Sequence, residues 1–336
     1  MTPKQVVLDQ IRHRETDPVP YTLAYEEEVG ARLDAHFGGN AWRQRAVPYV
    51  VQCGGVARHP REDLDATHYR DAFGTVWRTD ELPPVVVEPG LKKPSFEGYR
   101  FPKLEDLLDG ATREATARQV AETPDSLTTV SIMCLWQSWY VRGFETTLMD
   151  CVAEEDFYGE LLERFTELTL ALVEASAGIS ADAIMMGDDW GDQRGVLIGP
   201  ERWRRFFKPR YARIFAAIHR QGKLAIMHCC GSAAQIMGDI AEIGLDVLES
   251  VQPEAGGMNP YGLKRAWGDR LTFWGGLGSQ STIPFGTPGQ IRAEIRCLRR
   301  EMGRGGGYIL APAKPLRPET PTANAVAVVE EILDGA

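Results

Sequence analysis

Ala183-Ile184-Met185-Met186-Gly187-Asp188-Asp189-Trp190-Gly191 runs from four apolar residues into a glycine and two carboxylates. Further along the chain, Leu224-Ala225-Ile226-Met227-His228-Cys229-Cys230-Gly231 likewise begins with four apolar residues, which are followed by a histidine, two cysteines and a glycine. Between the two lies the long amphipathic stretch 200–221, which begins at a proline. A short apolar run followed by a helix-length segment is typical of a β/α unit in a parallel sheet. The two quoted segments therefore predict neighbouring strands whose polar residues follow the strand ends.

The same alternation extends outward in both directions. The predicted strands are Val19–Ala24, Leu127–Ile132, Ala183–Met186, Leu224–Met227, Val247–Val251, Leu271–Trp274 and Tyr308–Leu310. The predicted helices are Phe144–Val152, Asp156–Ala175, Pro200–Gln221, Ala233–Ile243, Pro260–Ala266, Pro288–Met302 and Thr322–Leu333. An eighth strand is expected between Val47 and Val87, where Phe73–Trp77 and Pro83–Val87 also predict a hairpin.

This pattern predicts an α/β fold: a single (β/α)8 TIM barrel over residues 1–336, with an N-terminal hairpin or loop elaboration. A doubly wound open sheet is the alternative. It is disfavoured because no glycine-rich phosphate turn follows the first strand.

Composition excludes several classes of protein. The 336 residues carry a formal net charge of −10, so a nucleic-acid partner is not expected. The basic run from Arg202 to Arg213 is interpreted as the solvated face of an amphipathic helix. No apolar stretch reaches the roughly 18 residues of a membrane span, and residues 1–14 do not resemble a secretory signal. We therefore expect no membrane partner and a cytoplasmic location, in which the six cysteines do not form a disulfide framework.

The strand ends predict the functional site, because in a barrel they open into one mouth. His228 and Cys230 follow one strand and lie two residues apart, so in an extended segment they point to the same side. Imidazole and thiolate suit zinc. Glu254 and Gln252, after the next strand, are expected to add oxygen donors, whereas Cys229 is interpreted as structural. The alternative is that His228 and Cys230 only pack and hydrogen bond.

Two carboxylates and a lysine are the predicted catalytic groups. Asp188 and Asp189 suit substrate hydrogen bonding, acid–base work or support of a metal, and Lys314 follows the last strand. Adjacent residues point in different directions, so at most one aspartate is expected to face the cavity. The alternative is that one aspartate caps a helical turn or pairs with Arg194.

Aromatic and polar side chains near the same strand ends are predicted to contact a small-molecule substrate. Trp136, Tyr140 and Trp190 could form an aromatic lining, although a core stripe is the alternative. The remaining predicted substrate contacts are Tyr25, Arg194, Gln252 and Gln280.

These motifs, together with Val251–Gly276 and Gly307–Pro312, resemble the uroporphyrinogen decarboxylase superfamily, which also contains corrinoid-linked methyltransferases. The resemblance covers nearly the whole chain. It implies one (β/α)8 barrel, an active site at its mouth and a possible homodimer. The arginine-rich N-terminal segment of the true decarboxylases is replaced by Tyr21–Glu28 with three glutamates, a poor cradle for a substrate with many carboxylates.

The resemblance therefore favours a zinc-dependent methyltransferase that moves a methyl group between a small substrate or thiol and a corrinoid held by a partner protein. The zinc enzymes of the superfamily use an H-x-C pair, which His228 and Cys230 match, and a later cysteine near the last strand. Lys314 occupies that later position, and Glu254 could complete the site instead. The alternatives are a metal-free carboxy-lyase and a non-catalytic ligand-binding relative.

Overall fold

The computed structural model describes residues 1–58, 60–81 and 83–335. Its strands are β1 (Val50–Gly55), β2 (Arg61–Asp63), β3 (His68–Asp71), β4 (Val76–Arg78), β5 (Val85–Glu88), β6 (Leu127–Ser131), β7 (Ala183–Gly187), β8 (Leu224–His228), β9 (Val247–Val251), β10 (Thr272–Leu277) and β11 (Tyr308–Pro312). The order in the main sheet is β1-β6-β7-β8-β9-β10-β11, and every neighbouring pair is parallel. The strands of this sheet lie side by side in chain order, as expected for successive β/α units, with β2–β5 inserted between β1 and β6.

Helices cover this sheet. They are α1 (Pro3–Ile11), α2 (Glu27–Phe37), α3 (Leu104–Leu107), α4 (Gly110–Glu122), α5 (Gln137–Arg142), α6 (Phe144–Ala153), α7 (Glu155–Ala175), α8 (Pro200–Phe206), α9 (Lys208–Arg220), α10 (Met237–Glu242), α11 (Pro260–Trp267), α12 (Thr282–Phe285), α13 (Pro288–Gly303) and α14 (Thr322–Asp334). Over the described residues, no helix combines the length and apolarity needed to cross a membrane.

Local sequence explains where several helices begin and end. Thr287 caps α13: its hydroxyl accepts from the Gln290 N–H, and the Gln290 side chain accepts from the Thr287 N–H. The single helix predicted over Pro200–Gln221 is two helices, α8 and α9, that meet at Phe207. Pro209 has no N–H for the ladder of a continuous helix, so the chain turns there.

The sheet is not the closed eight-stranded barrel that the sequence predicted. The stretch predicted as the first strand is extended, but it makes only an isolated bridge between Tyr21 and Leu310 of β11. Pro20 lies within this stretch and has no N–H to donate to a strand ladder. The segment still lies between the two edges of the sheet. The Thr22 N–H donates to the Leu310 carbonyl at 2.9 Å, and the Leu23 N–H donates to the carbonyl of Ala46, just before β1, at 3.1 Å.

A second, four-stranded antiparallel sheet, β2-β3-β4-β5, follows β1. The region predicted as a hairpin, Phe73–Trp77 and Pro83–Val87, overlaps two of its strands: β4 pairs with β5, with Trp77 opposite Val86. Trp77 packs edge-on against Tyr140 of α5, with ring centroids 4.9 Å apart. The small sheet therefore lies against the helix that follows β6.

The basic run on α8 and α9 faces acidic neighbours, not only solvent. Arg204 and Lys208 bond to Asp239 of α10 at 2.9 and 2.8 Å, and Arg213 pairs with Glu163 and Glu167 of α7. These ion pairs join neighbouring helices of the outer layer. Arg202, Arg204, Arg205 and Arg213 are exposed, so the predicted solvated basic face is present and also carries ion pairs.

Candidate active site

The register of the sheet brings the site together. Gly187 of β7 pairs with His228 of β8, and His228 pairs with Glu249 of β9. Asp189 and Cys230 each follow their strand by two residues. Parallel strands end at the same edge of a sheet, so side chains far apart in sequence meet there.

Close packing of two glycines holds the loops after β7 and β8 against each other. Gly231 has φ of +85°, and a Cβ there would lie 2.5 Å from the Gly191 carbonyl oxygen. A Cβ on Gly191 would lie 2.1 Å from the Ser232 carbonyl oxygen. Only glycine allows this approach, which explains why both polar motifs contain one.

Asp189, His228 and Cys230 form one group, named here the Asp189 cluster. The thiol and the backbone N–H of Cys230 donate to Asp189 Oδ1 at 2.8 and 2.9 Å, and His228 Nε2 lies 3.7 Å from the same oxygen. One ligand atom from each residue lies within 4.8 Å of the other two. Within the described parts of the chain, this is the group of metal-ligating side chains that meets this spacing. The sequence predicted the His228 and Cys230 pair as metal ligands, and the structure adds Asp189.

Glu249 binds the other side of His228 and was not predicted from the sequence. Its carboxylate bonds to His228 Nδ1, which leaves Nε2 directed toward Asp189. Burial lowers the pKa of His228, but hydrogen bonds to Cys230 and Glu249 and the charges of Glu249 and Asp189 outweigh it and raise the pKa to about 10. The one signal for this contact in the sequence was Glu249 itself, an acidic residue within the mainly apolar run of β9.

Asp188 reaches different surroundings, named here the Asp188 cluster, which also includes Trp136 and Tyr211. It is 1% exposed; it accepts the Trp136 N–H at 2.6 Å and contacts the Tyr211 hydroxyl of α9. Burial raises its pKa from the ordinary 3.8 to about 7. Neither aspartate is among the cavity-lining residues, but the two side chains do point in different directions, and Asp189 is the one that contacts Cys230.

Glu254 and the two glutamines lie around the cluster rather than in it. Glu254 accepts the Gln280 N–H at 2.8 Å and the Ser281 hydroxyl at 2.7 Å. The sequence predicted Glu254 as a metal ligand, but in the structure it does not join His228 and Cys230. Gln252 is buried and accepts the Gly231 N–H at 3.3 Å, which supports the loop after β8. The side chain of Gln280 is exposed.

A cavity of about 760 Å³ opens beside the ends of these strands. Its polar and charged lining includes the predicted Lys314 together with His228 and Glu249. The other lining residues are Thr22, Leu23, Ala24, Val47, Val50, Val51, Gln52, Met185, Trp274, Ala311, Pro312, Ala313, Pro315 and Arg317. The cavity is therefore mainly apolar with a few converging polar groups, which is typical of small-molecule sites.

The aromatic lining expected from the sequence is not found in this cavity. Trp190 is 3% exposed and packs against Trp203 and Tyr211 in the core. Trp136 and Tyr140 are half-buried in an aromatic cluster beside the small sheet. Trp274 takes the aromatic position in the cavity wall, where its indole N–H donates to Thr22 at 2.8 Å.

Two further predicted substrate contacts also lie elsewhere. Tyr25 packs against Trp42 and beneath Arg43, outside the cavity lining. The Arg194 side chain is 92% exposed and pairs with Asp192 at 3.2 Å, not with Asp188 or Asp189.

The residues of the Asp189 cluster fit a zinc ion. They offer one nitrogen, one sulfur and one oxygen donor, which are the three ligand types of zinc sites. A carboxylate on the far nitrogen of a histidine ligand is a common feature of such sites, and Glu249 supplies it here. The fit to zinc therefore depends on these three donor atoms and on the contact between Glu249 and His228 Nδ1.

Comparison with known proteins finds relatives in sequence and in structure. The sequence pattern described as uroporphyrinogen decarboxylase (URO-D) matches residues 111–334. The methylcobamide:CoM methyltransferase MtaA of Methanosarcina barkeri is 28% identical over 178 residues, which are 53% of this chain and 49% of that protein. A uroporphyrinogen decarboxylase of Coxiella burnetii is 26% identical over 194 residues, 57% of this chain and 51% of that protein. The chain thus spans about half the length of the curated relatives it matches.

A solved structure is similar over nearly the whole chain. A methyltransferase from Methanosarcina mazei superposes with a TM-score of 0.69 and 20% sequence identity, covering 98% of each chain. At that identity the similarity shows a shared fold.

Proposed function

The chain belongs to the uroporphyrinogen decarboxylase family, and we propose that it is a zinc-dependent methyltransferase of that family. It would move a methyl group between a small substrate or thiol and a corrinoid carried by a partner protein. The observation that carries this proposal is the Asp189 cluster at the edge of a cavity. Both the M. barkeri and the M. mazei proteins are named as methyltransferases, which supports the same choice.

Asp189, His228 and Cys230 would hold the metal. A zinc ion bound there would keep a substrate thiol in its thiolate form at neutral pH. Glu249 holds the His228 ring by its Nδ1 so that Nε2 faces Asp189. The Cys230 N–H bond to Asp189 fixes that carboxylate beside the thiol. These contacts position the ligand atoms before any ligand arrives, which lowers the cost of binding.

The cavity wall beside His228 is largely apolar. Leu23, Val50, Val51 and Trp274 contribute apolar surface, and His228 lies in the same lining. An apolar wall would leave the charge of a bound thiolate less stabilised by water, which makes the anion a stronger nucleophile. The open side of the strand ends is where we expect the corrinoid partner.

Metal content tests the proposal directly. Protein purified without a histidine tag is expected to contain about one zinc ion per chain by mass spectrometry, and Cys230→Ala is expected to lose it while remaining folded. Cys229→Ala is the matched control, because Cys229 is buried next in the chain and outside the cluster. The wild type should also demethylate methylcobalamin in the presence of a thiol. The reaction is monitored by the loss of the absorbance of the cobalt–carbon bond. Metal-free wild type, or equal zinc in Cys230→Ala, would overturn the proposal.

A metal-free carboxy-lyase is the second candidate function. It is favoured by the similarity to uroporphyrinogen decarboxylases, which extends over a similar share of the chain. In that reaction Asp189 would stabilise positive charge that develops on the substrate. Release of carbon dioxide that survives removal of all metal by a chelator would support it. Tight ligand binding with neither activity would instead indicate the third possibility, a non-catalytic relative.

A further inference from the structure

Lys314 occupies a fixed position at the end of the last strand. The Ala313 N–H donates to the Leu277 carbonyl and the Lys314 N–H donates to Ser279 Oγ, at 2.9 and 2.8 Å. Pro315 follows immediately and restricts the backbone before it. The side chain is half-buried and lines the cavity. Lys314 is therefore a positioned group, unlike a lysine on a mobile surface loop.

The charges around the cavity are unbalanced. Its titratable lining residues are His228, Glu249, Lys314 and Arg317. Glu249 is engaged by His228. Arg317 has one distant contact, 4.0 Å from Glu26, and is 55% exposed. Among the residues that the structure describes, the ammonium of Lys314 has no ion-pair partner.

This local excess of positive charge stands in a chain whose formal net charge is −10. An ammonium group that lines a mainly apolar cavity without an ion-pair partner favours an anion over an uncharged ligand. The apolar lining residues Leu23, Val50, Val51 and Met185 offer no competing anionic partner.

We infer that the cavity binds a small organic anion whose carboxylate or sulfonate is held by Lys314, with Arg317 at the rim. The apolar body of this ligand lies along the wall that includes Trp274, and its other end faces His228 and Glu249. Lys314 is thus a specificity-determining residue for substrates with one anionic group. The inference rests on the proposed function for treating this cavity as the substrate site.

Calorimetric titration of the purified full chain tests the inference with three probes of similar size. Butanoate and 1-propanesulfonate carry the anionic group, and butanamide is the uncharged control. Hydrogen bonds to charged groups contribute roughly 1.5–3 kcal/mol, so both anions should bind about tenfold to hundredfold more tightly than the amide. Tight binding of butanoate with weak binding of 1-propanesulfonate would assign the site to carboxylates. The opposite result would assign it to sulfonates.

Three variants locate the effect. Lys314→Gln should reduce anion affinity to that of butanamide, whereas Lys314→Arg should retain most of it. Lys93→Gln removes the same charge from an exposed position outside the cavity and should bind as the wild type does. Equal affinity of anions and amide, no measurable binding of any anion by the wild type, or wild-type affinity in Lys314→Gln would overturn the inference. None of these results depends on zinc content or methyl transfer, so the two proposals can fail separately.

Discussion

Asp188 and Asp189 are neighbours in the chain, yet they lie in two regions with opposite properties. The Asp188 cluster is closed: its carboxyl is buried, receives the Trp136 N–H and the Tyr211 hydroxyl, and has a pKa raised by burial. The Asp189 cluster is one-third exposed, and its carboxylate meets a thiol and an imidazole. Burial without a cation keeps the Asp188 carboxyl in a structural role, whereas partial exposure beside a thiol and an imidazole leaves the Asp189 carboxylate available for a metal.

The largest effect is expected from the pH dependence of the Asp188 cluster. The folded carboxyl keeps its proton up to pH about 7, while the unfolded one releases it near 3.8. The folded state therefore binds more protons in this range, and the free energy of unfolding falls as the pH rises through it, by up to about 4 kcal/mol. Asp188→Asn imitates the protonated form and should lose this component. Urea unfolding at a series of pH values measures this component. An equal dependence of the free energy of unfolding on pH in the wild type and in Asp188→Asn would contradict the prediction.

The second effect is expected in the Asp189 cluster. Asp189→Asn replaces a charged ligand by a weak one and should lower zinc affinity about hundredfold, which is at the upper end of effects seen for contacts around a metal. Asp188→Asn is the matched control and should leave zinc affinity unchanged. Competition against a coloured chelator measures both. If the two variants lose zinc equally, the distinction between the clusters is wrong.

A smaller effect on zinc affinity is expected from the contact between Glu249 and the metal-ligand candidate His228. Glu249→Gln keeps the shape of the side chain but weakens its hold on the His228 ring, so zinc affinity should fall tenfold to hundredfold. Glu254→Gln changes a carboxylate that binds Gln280 and Ser281 instead and should have no effect. A loss in Glu254→Gln with none in Glu249→Gln would restore Glu254 as the ligand expected from the sequence.

The smallest effect is expected at Arg194, which belongs to neither cluster. Its guanidinium is 92% exposed and pairs with Asp192. Exposed ion pairs contribute little, so Arg194→Ala should change the free energy of unfolding by less than about 0.5 kcal/mol. The KM for substrate should also stay at the wild-type value. A raised KM would show that this loop closes over the cavity.

Much of the parallel sheet could be predicted from local pattern. The apolar runs at 183–186, 224–227 and 247–251 match β7, β8 and β9 to within one residue. Apolar side chains buried on both faces of a parallel strand leave a signal that needs no knowledge of the partner strands. The prediction of a regular strand over Val19–Ala24 was wrong because the hydrogen bonds of this stretch depend on β11 and Ala46, which its own sequence does not reveal.

The site was predictable in part for the same reason. His228 and Cys230 are two residues apart, so their common direction follows from the chain itself. Glu249 and Asp189 join them only through the registers of three strands. The aromatic residues were misplaced because apolar rings suit a core and a cavity equally well, and Trp190 went to the core.

Local sequence pattern was enough to predict the order of β/α units, the polar groups after five consecutive strands, and the divergence of Asp188 from Asp189. The folded arrangement was needed to establish which aspartate meets Cys230, that Glu249 lies behind His228, and that Lys314 lines the cavity without an ion-pair partner among the described residues. The cause is distance along the chain. Periodicity and turns act between near neighbours, whereas register, burial and charge balance arise from residues that meet only when the sheet has formed.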